Sequence, residues 1–107
     1  MTTKTRRCVT VMYPNMPGVT FDFDYYLKQH ATLIDRLYGA SIAKLELRRG
    51  TTTPQGLPAP YVAIINIWIA DQAAFDSAGA KHGPTLIADE PNFTNMMPTI
   101  QIDEIVE

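Results

Sequence analysis

The stretch Tyr61-Val-Ala-Ile-Ile-Asn-Ile-Trp-Ile69 decides the fold, because it is rich in β-branched residues and apolar on both faces of an extended chain. A run of this length and composition is typical of a strand that is buried within a sheet. The segment before it, from Gly50 to Pro60, is too rich in proline for regular structure. Asp71, just after it, can cap a helix. The run therefore predicts a strand that leads directly into a helix.

The sequence before this strand predicts a β-α-β unit. Residues Arg7–Tyr13 alternate and are β-branched, as is typical of a strand. A helix is predicted from about Asp22 to Leu37, with Thr20 as its cap and Gly39 as its terminator. A second strand is predicted over Ser41–Arg49, where the charged residues share one face, as in an edge strand with one face in water.

The sequence after the strand predicts a short helix and a last strand. The helix is expected to begin after Asp71 and to run to about Ala78. The residues expected to break it are Gly79, Gly83 and Pro84. The later elements are predicted at Thr85–Ala88, a helical turn, and at Asn95–Val106, the last strand. The order β-α-β-β-α-β predicts one ferredoxin-like α+β domain over residues 1–107, with both helices on one face of a four-stranded antiparallel sheet.

This architecture has a consequence for assembly. Two helices cover one face of such a sheet, yet the strand Tyr61–Ile69 is apolar on both faces. Burial of one large apolar side chain is worth roughly 1.5–3 kcal/mol, so an uncovered face would be a large exposed apolar patch. A second copy, packed sheet against sheet, is the simplest cover, and we predict a two-fold homodimer.

Composition excludes several classes of function. A formal charge of −2 with no basic stripe gives no electrostatic support for nucleic-acid binding. No apolar run is long enough for a membrane span or a signal peptide, and the single cysteine, Cys8, is typical of a reducing compartment. We therefore predict a cytoplasmic protein. No Gly-rich nucleotide-binding loop and no metal-ligand spacing is present, so neither a metal nor a cofactor is predicted.

His30 is the candidate catalytic residue. On a helical wheel at about 100° per residue it lies at the centre of the apolar arc, and Tyr26 lies one turn before it on the same face. A histidine that faces the core needs hydrogen-bond partners, and burial favours the neutral imidazole that acts as a base. The pair predicts a polar spot within a pocket between helix and sheet. The alternative is a buried histidine that is bonded to a backbone carbonyl and has no chemical role.

Other side chains are weaker candidates for a pocket. Tyr13 and Trp68 are predicted to line it, although aromatic residues on strands are more often core. His82 lies at the expected break after the second helix, either as a solvated loop residue or at a pocket mouth. Asn66, a polar residue in an apolar strand, is expected to bond across the dimer interface or to line a cavity.

Two segments resemble the signatures of a known family. Tyr13-Pro14 with Phe21-Asp22-x-Asp24-Tyr25-Tyr26-x-x-x-His30 is similar to the N-terminal signature of EthD-type proteins. Ala88-Asp89-x-x-Asn92-Phe93-Thr94, followed by a proline-containing last strand, resembles the C-terminal signature. The resemblance spans about residues 13–105.

The resemblance implies a dimeric α+β barrel made of two ferredoxin-like subunits. The family is associated with alkyl ether degradation beside a cytochrome P450 system, and it tends to be classed with oxidoreductases. Similar barrels include cofactor-free monooxygenases acting on polyketides, muconolactone isomerases, polyketide cyclases and haem-dependent enzymes. The resemblance also implies an acid/base role for His30, which matches a candidate histidine of the related lactone isomerases.

Three hypotheses about function follow. The first is a cofactor-free oxidoreductase or isomerase that acts on a small apolar organic compound, with His30 as acid/base and Tyr26 orienting it or stabilising an oxyanion. The second is a non-catalytic binding or accessory protein in a degradation or polyketide pathway. The third is haem binding through His30 or His82. Under the first hypothesis, the residues expected to form the apolar wall of the catalytic site are Tyr13, Trp68, Phe75 and Phe93.

Overall fold

The elements occur in the predicted order. The computed structural model describes residues 6–106. The bounds of the strands, helices and helical turns are β1 Arg7–Pro14, α1 Phe23–Tyr25, a π-helical turn Tyr26–His30, α2 Ala31–Tyr38, a 3-10 turn Gly39–Ser41, β2 Ile42–Arg49, β3 Tyr61–Ile69, α3 Gln72–Asp89, a 3-10 turn Glu90–Asn92 and β4 Thr99–Glu104. No helix among these residues is both long and apolar enough to cross a membrane.

The four strands form one antiparallel sheet in the order β2-β3-β1-β4, which is the ferredoxin-like arrangement. β3 and β1 are the inner strands of the sheet. Paired residues share a face, so Val11, Ile65 and Ile100 stand together on the side of the helices. The predicted fold is confirmed, although β4 is shorter than the predicted Asn95–Val106.

The first helix contains a feature that the sequence pattern did not predict. Asp22 caps it, because its side chain accepts a hydrogen bond from the Tyr25 amide, so the prediction that Thr20 is the cap is wrong. The Ala31 amide donates to the carbonyl of Tyr26, five residues earlier, which marks a wider π-helical turn. Such turns are rare and occur frequently at functional sites. The helix ends at Gly39, whose positive φ of 54° suits glycine.

α3 runs without a break from Gln72 to Asp89, so the prediction of two shorter pieces is wrong. Pro84 removes one helical hydrogen bond and crowds the carbonyl of Ala80. Both residues are exposed, so water can bond that carbonyl and reduce the cost. Gly79 lies close to the Tyr38 hydroxyl, which a Cβ at this position would approach to 3.7 Å.

The helix-free face of the sheet is not wholly apolar, and the prediction of a large apolar patch there is wrong. Asn66 donates to the Thr10 hydroxyl at 3.1 Å and accepts from Arg48, and Thr10 donates to Asp103. Trp68 shares this face, under the ammonium of Lys44. The edge strands β2 and β4 direct these charged side chains to this face and so cover the apolar residues of β3.

Exposed large apolar side chains lie on the other face, at the edge of the sheet. Ile100 and Ile102 of β4 are 57% and 66% exposed. They share the helix side with Val11 and Val9, but the helices do not cover this edge fully. The edge of β4 therefore leaves an opening between sheet and helices.

Candidate active site

A cavity of about 220 Å³ lies between the helices and the sheet. Its wall is mainly aliphatic and aromatic, as in small-molecule sites. It opens between α3 and β4, where the lining residues Ile87 and Ile100 are 65% and 57% exposed. The residues that line it are Val9, Val11, Tyr13, Tyr26, His30, Ile34, Tyr38, Ile42, Ile67, Phe75, Gly83, Leu86, Ile87, Glu90 and Ile100.

The π-helical turn directs His30 into this cavity. Its side chain is buried, and its Nδ1 lies 2.8 Å from Oδ2 of Asp89, the last residue of α3. The ring of Tyr26, four residues earlier, stands with its centroid 5.0 Å from that of the imidazole. The ring of Phe93 packs on the imidazole at 4.7 Å. His30 is thus held by one carboxylate and two aromatic rings.

Asp89 accepts hydrogen bonds from three side chains. His30 binds Oδ2, while the Tyr25 hydroxyl and the Asn92 amide donate to Oδ1 at 2.7 Å and 2.9 Å. Partial burial acts to raise the pKa of Asp89, but the hydrogen bonds from Asn92, His30 and Tyr25 outweigh it and hold the pKa below its usual value. An ionised carboxylate only accepts, so the imidazole must donate from Nδ1.

With its proton on Nδ1, the His30 imidazole has Nε2 free to accept a hydrogen bond. Among residues 6–106, Nε2 of His30 has no hydrogen-bond partner. No buried side-chain nitrogen or oxygen in this part of the chain lacks a partner, so Nε2 must reach open space. His30 lines the cavity, and Nε2 is therefore a hydrogen-bond acceptor available to a molecule bound there.

Two phenol groups face the same space. Tyr13 and Tyr26 are 2% and 3% exposed, and within residues 6–106 neither hydroxyl makes a hydrogen bond. Burial raises the pKa of Tyr13, and the charge of Glu90 raises it further. Burial also raises the pKa of Tyr26, with smaller contributions from Tyr13 and Glu90. Both hydroxyls therefore stay protonated at neutral pH and can donate.

Glu90 supplies a second carboxyl group at the cavity wall. Burial raises its pKa above the usual value, and the nearby His30 partly offsets this shift. Its carboxyl group has no hydrogen-bond or ion-pair partner among the described residues. Glu90 begins the 3-10 turn that follows α3, so the end of one helix supplies both Asp89 and Glu90.

The structure brings together most of the predicted site residues. His30, Tyr26, Tyr13 and Phe75 line the cavity, and Phe93 packs against His30 from outside the lining. The prediction that Trp68 lines the same pocket is wrong, because Trp68 pairs with Cys8 and Lys44 on the helix-free face of the sheet. His82 lies in the unbroken α3 and is not part of the cavity wall.

Sequence reasoning missed Asp89 and Glu90. Asp89 lies 59 residues from His30, and no local pattern joins the two. A signal was nevertheless present, because Asp89 stands in the segment Ala88-Asp89-x-x-Asn92-Phe93-Thr94. Over residues 6–106, no three His, Cys, Asp or Glu side chains are grouped so as to hold a metal ion.

Comparisons with known proteins give matches among solved structures. An EthD-like protein from Ralstonia eutropha JMP134 has a TM-score of 0.89 and 28% identity, covering 98% of this chain and 96% of that chain. The predicted resemblance to the EthD family is confirmed. An EthD family protein of Bacillus halodurans C-125, named for ethyl tert-butyl ether, has a TM-score of 0.69 at 18% identity, covering 96% and 100% of the two chains. No model of a known family and no curated protein matches.

A third structure, like the second, supports the fold alone. It is a DABB family protein with a ferredoxin-like fold from Mesorhizobium loti MAFF303099, with a TM-score of 0.52 at 14% identity, covering 97% of this chain and 98% of that chain. In this chain the two segments that resemble the EthD signatures meet at one place. Tyr25 and His30 of the first segment bind Asp89 of the second, and Tyr26 packs against Phe93 at 5.1 Å.

Proposed function

We propose that the protein binds a small, largely apolar organic compound in the cavity and that His30 removes a proton from it as a general base. The observation that carries this proposal is the hydrogen bond from His30 Nδ1 to the Asp89 carboxylate beside the cavity. A base must present a free acceptor to its substrate, and Nε2 of His30 meets that requirement.

Asp89 is the positioning residue in this proposal. Its carboxylate fixes the imidazole in the tautomer with a proton on Nδ1 and stabilises the positive charge that forms when Nε2 takes a second proton. Proton removal beside a carbonyl group places negative charge on the carbonyl oxygen. The unpartnered hydroxyl of Tyr26 or Tyr13 is a suitable donor to that oxygen, because both are buried and protonated.

The reaction that follows deprotonation is an isomerisation, a ring closure or an oxygenation through the substrate carbanion. All three begin with the same step, and the residues at the cavity act in that step. The second candidate is a protein that holds or transfers the same class of compound without chemistry. The mainly apolar wall supports binding in either case.

Hydrogen exchange separates the two candidates without a known substrate. Single-ring ketones are incubated with the protein in D2O, and mass spectrometry follows the gain of deuterium beside the carbonyl group. We expect wild-type protein to accelerate the exchange and His30→Gln to lose the acceleration. Binding of the ketones without accelerated exchange would favour the non-catalytic candidate. Equal acceleration by His30→Gln would refute the role of His30.

We also propose that two copies pair through their helix-free faces. A two-fold axis parallel to the strands reverses the strand order between facing sheets, so it sets β2 of one copy against β4 of the other. β2 carries Lys44 and Arg48 on this face with Glu46 between them, so cations outnumber anions at this edge, and β4 carries Asp103, so the edges are complementary in charge. Trp68 and Ile64 supply apolar area between them.

Sedimentation equilibrium tests the pairing. We expect wild-type protein to be a dimer and Trp68→Lys to be largely monomeric, because the new charge would be buried without a partner. Leu57→Lys is the matched control, since Leu57 is an apolar loop residue that is 62% exposed and outside the sheet. A monomeric wild-type protein would refute the pairing.

A further inference from the structure

The polar groups at the cavity define what a ligand must offer. Tyr13 and Tyr26 present hydroxyl donors that have no partner among residues 6–106. His30 presents an acceptor at Nε2, because its Nδ1 proton is bound to Asp89. A ligand that carries both a hydrogen-bond acceptor and a hydrogen-bond donor satisfies both kinds of group.

The carboxyl groups at the cavity give it negative charge. Among residues 6–106 no lysine or arginine lines the cavity, while Glu90 lines it and the Asp89 carboxylate lies behind His30. A carboxylate on the ligand would therefore enter a half-enclosed space with a like charge at its wall and with no lysine or arginine among residues 6–106 to pair with it. Like charges at close range in such a space repel more strongly than in water.

The size of the cavity limits the ligand. A dry protein cavity of about 150 Å³ holds benzene. The cavity at His30 has a volume of about 220 Å³, which suits one ring with one or two small substituents. Its aliphatic and aromatic wall favours the faces of such a ring.

We propose that the ligand is an uncharged single-ring compound with a hydroxyl and a carbonyl group, and that Glu90 excludes anionic analogues. This inference rests on the proposed function, because it takes the cavity at His30 as the ligand site. The ligand hydroxyl donates to His30 Nε2, and the carbonyl oxygen accepts from Tyr13 or Tyr26. Glu90 is thus a specificity-determining residue.

A matched pair of probes tests this inference. The compounds 4-hydroxybenzamide and 4-hydroxybenzoate have nearly the same shape, but the second carries a negative charge at neutral pH. Dissociation constants are measured by ligand-observed NMR for wild-type protein and for Glu90→Gln. We expect wild-type protein to bind the amide at least about tenfold more tightly than the carboxylate, and Glu90→Gln to reduce this ratio about tenfold.

Glu104→Gln is the control, because it removes one negative charge at an exposed position of β4 outside the cavity lining. It is expected to keep the wild-type ratio. Equal affinity of wild-type protein for the two probes would overturn the charge selection, and an unchanged ratio in Glu90→Gln would overturn the role of Glu90. Failure of both probes to bind would overturn the ligand class. In each case the exchange experiment with His30→Gln still decides the proposed function separately.

Discussion

Replacement of Asp89 by asparagine is expected to reverse the tautomer of His30. In the structure Oδ1 of Asp89 accepts from both Tyr25 and Asn92, while Oδ2 faces the imidazole. An asparagine side chain has one carbonyl oxygen, and the two donors at the Oδ1 position hold that oxygen there. Its NH2 group then faces Nδ1 of His30, which must become an acceptor. The proton of the imidazole moves to Nε2, where a base needs its lone pair.

The magnitude follows from the bond that is lost. A hydrogen bond to a charged group is worth about 1.5–3 kcal/mol, so Asp89 favours the Nδ1–H tautomer by a factor of roughly 10 to 150. General acid–base catalysis typically contributes about 10²- to 10⁴-fold to a rate. We therefore expect Asp89→Asn to lower the rate of ketone hydrogen exchange by about 100-fold or more, with a smaller effect on ligand affinity.

Long-range 15N–1H correlation NMR is the assay for the tautomer. The spectrum is simple, since the chain contains 2 histidines. It is recorded at about pH 8.5, well above the pKa of about 6.5 of an ordinary histidine. Asp35→Asn is the matched control, because Asp35 is exposed on α2. Persistence of the Nδ1–H tautomer in Asp89→Asn, or its absence from wild-type protein, would refute the reasoning.

Three further predictions concern the cavity. Gly83 lies in α3 at the cavity wall, and apart from its chain neighbours a Cβ there would meet nothing within 4 Å, so Gly83→Leu should fill the cavity and abolish probe binding in ligand-observed NMR. Tyr26→Phe should lower the exchange rate by about 100-fold if its hydroxyl is the oxyanion donor, and an unchanged rate would assign that role to Tyr13. The raised pKa of Glu90 means that its charged form is less favourable in the folded state, so its cost to stability is present at neutral pH and disappears as the pH falls through the unfolded value of about 4.3. Glu90→Gln should therefore raise the melting temperature at pH 7 but not at about pH 3.5, and equal shifts at both values would contradict this explanation.

The fold could be predicted from the sequence because each strand carries a local signal. The bounds of β3 are those predicted, Tyr61–Ile69, since its run of β-branched residues ends at a proline-rich loop on one side and near a capping Asp71 on the other. The break in the second helix was predicted wrongly. Glycine and proline indicate a local preference for ending a helix. The exposure of Pro84 to water lets this helix continue, because water can bond the carbonyl group that the proline leaves free.

The site could be predicted in part, and the reason for the limit is the distance along the chain. His30 and Tyr26 share a helical face, so periodicity alone placed them inward. The partner of His30 comes from the end of α3, which no periodicity connects to the first helix. The sequence analysis also assigned Trp68 to the wrong face of the sheet, because a strand that is apolar on both faces does not reveal which face the helices cover.

A crystal structure of the protein with 4-hydroxybenzamide tests the central claim most directly. The account predicts the ring in the cavity between helices and sheet, with the ligand hydroxyl at roughly 2.6–3.2 Å from Nε2 of His30 and its carbonyl oxygen at a similar distance from the hydroxyl of Tyr13 or Tyr26. A compound bound elsewhere, or a cavity that holds only water while Nε2 bonds to the protein, would contradict it.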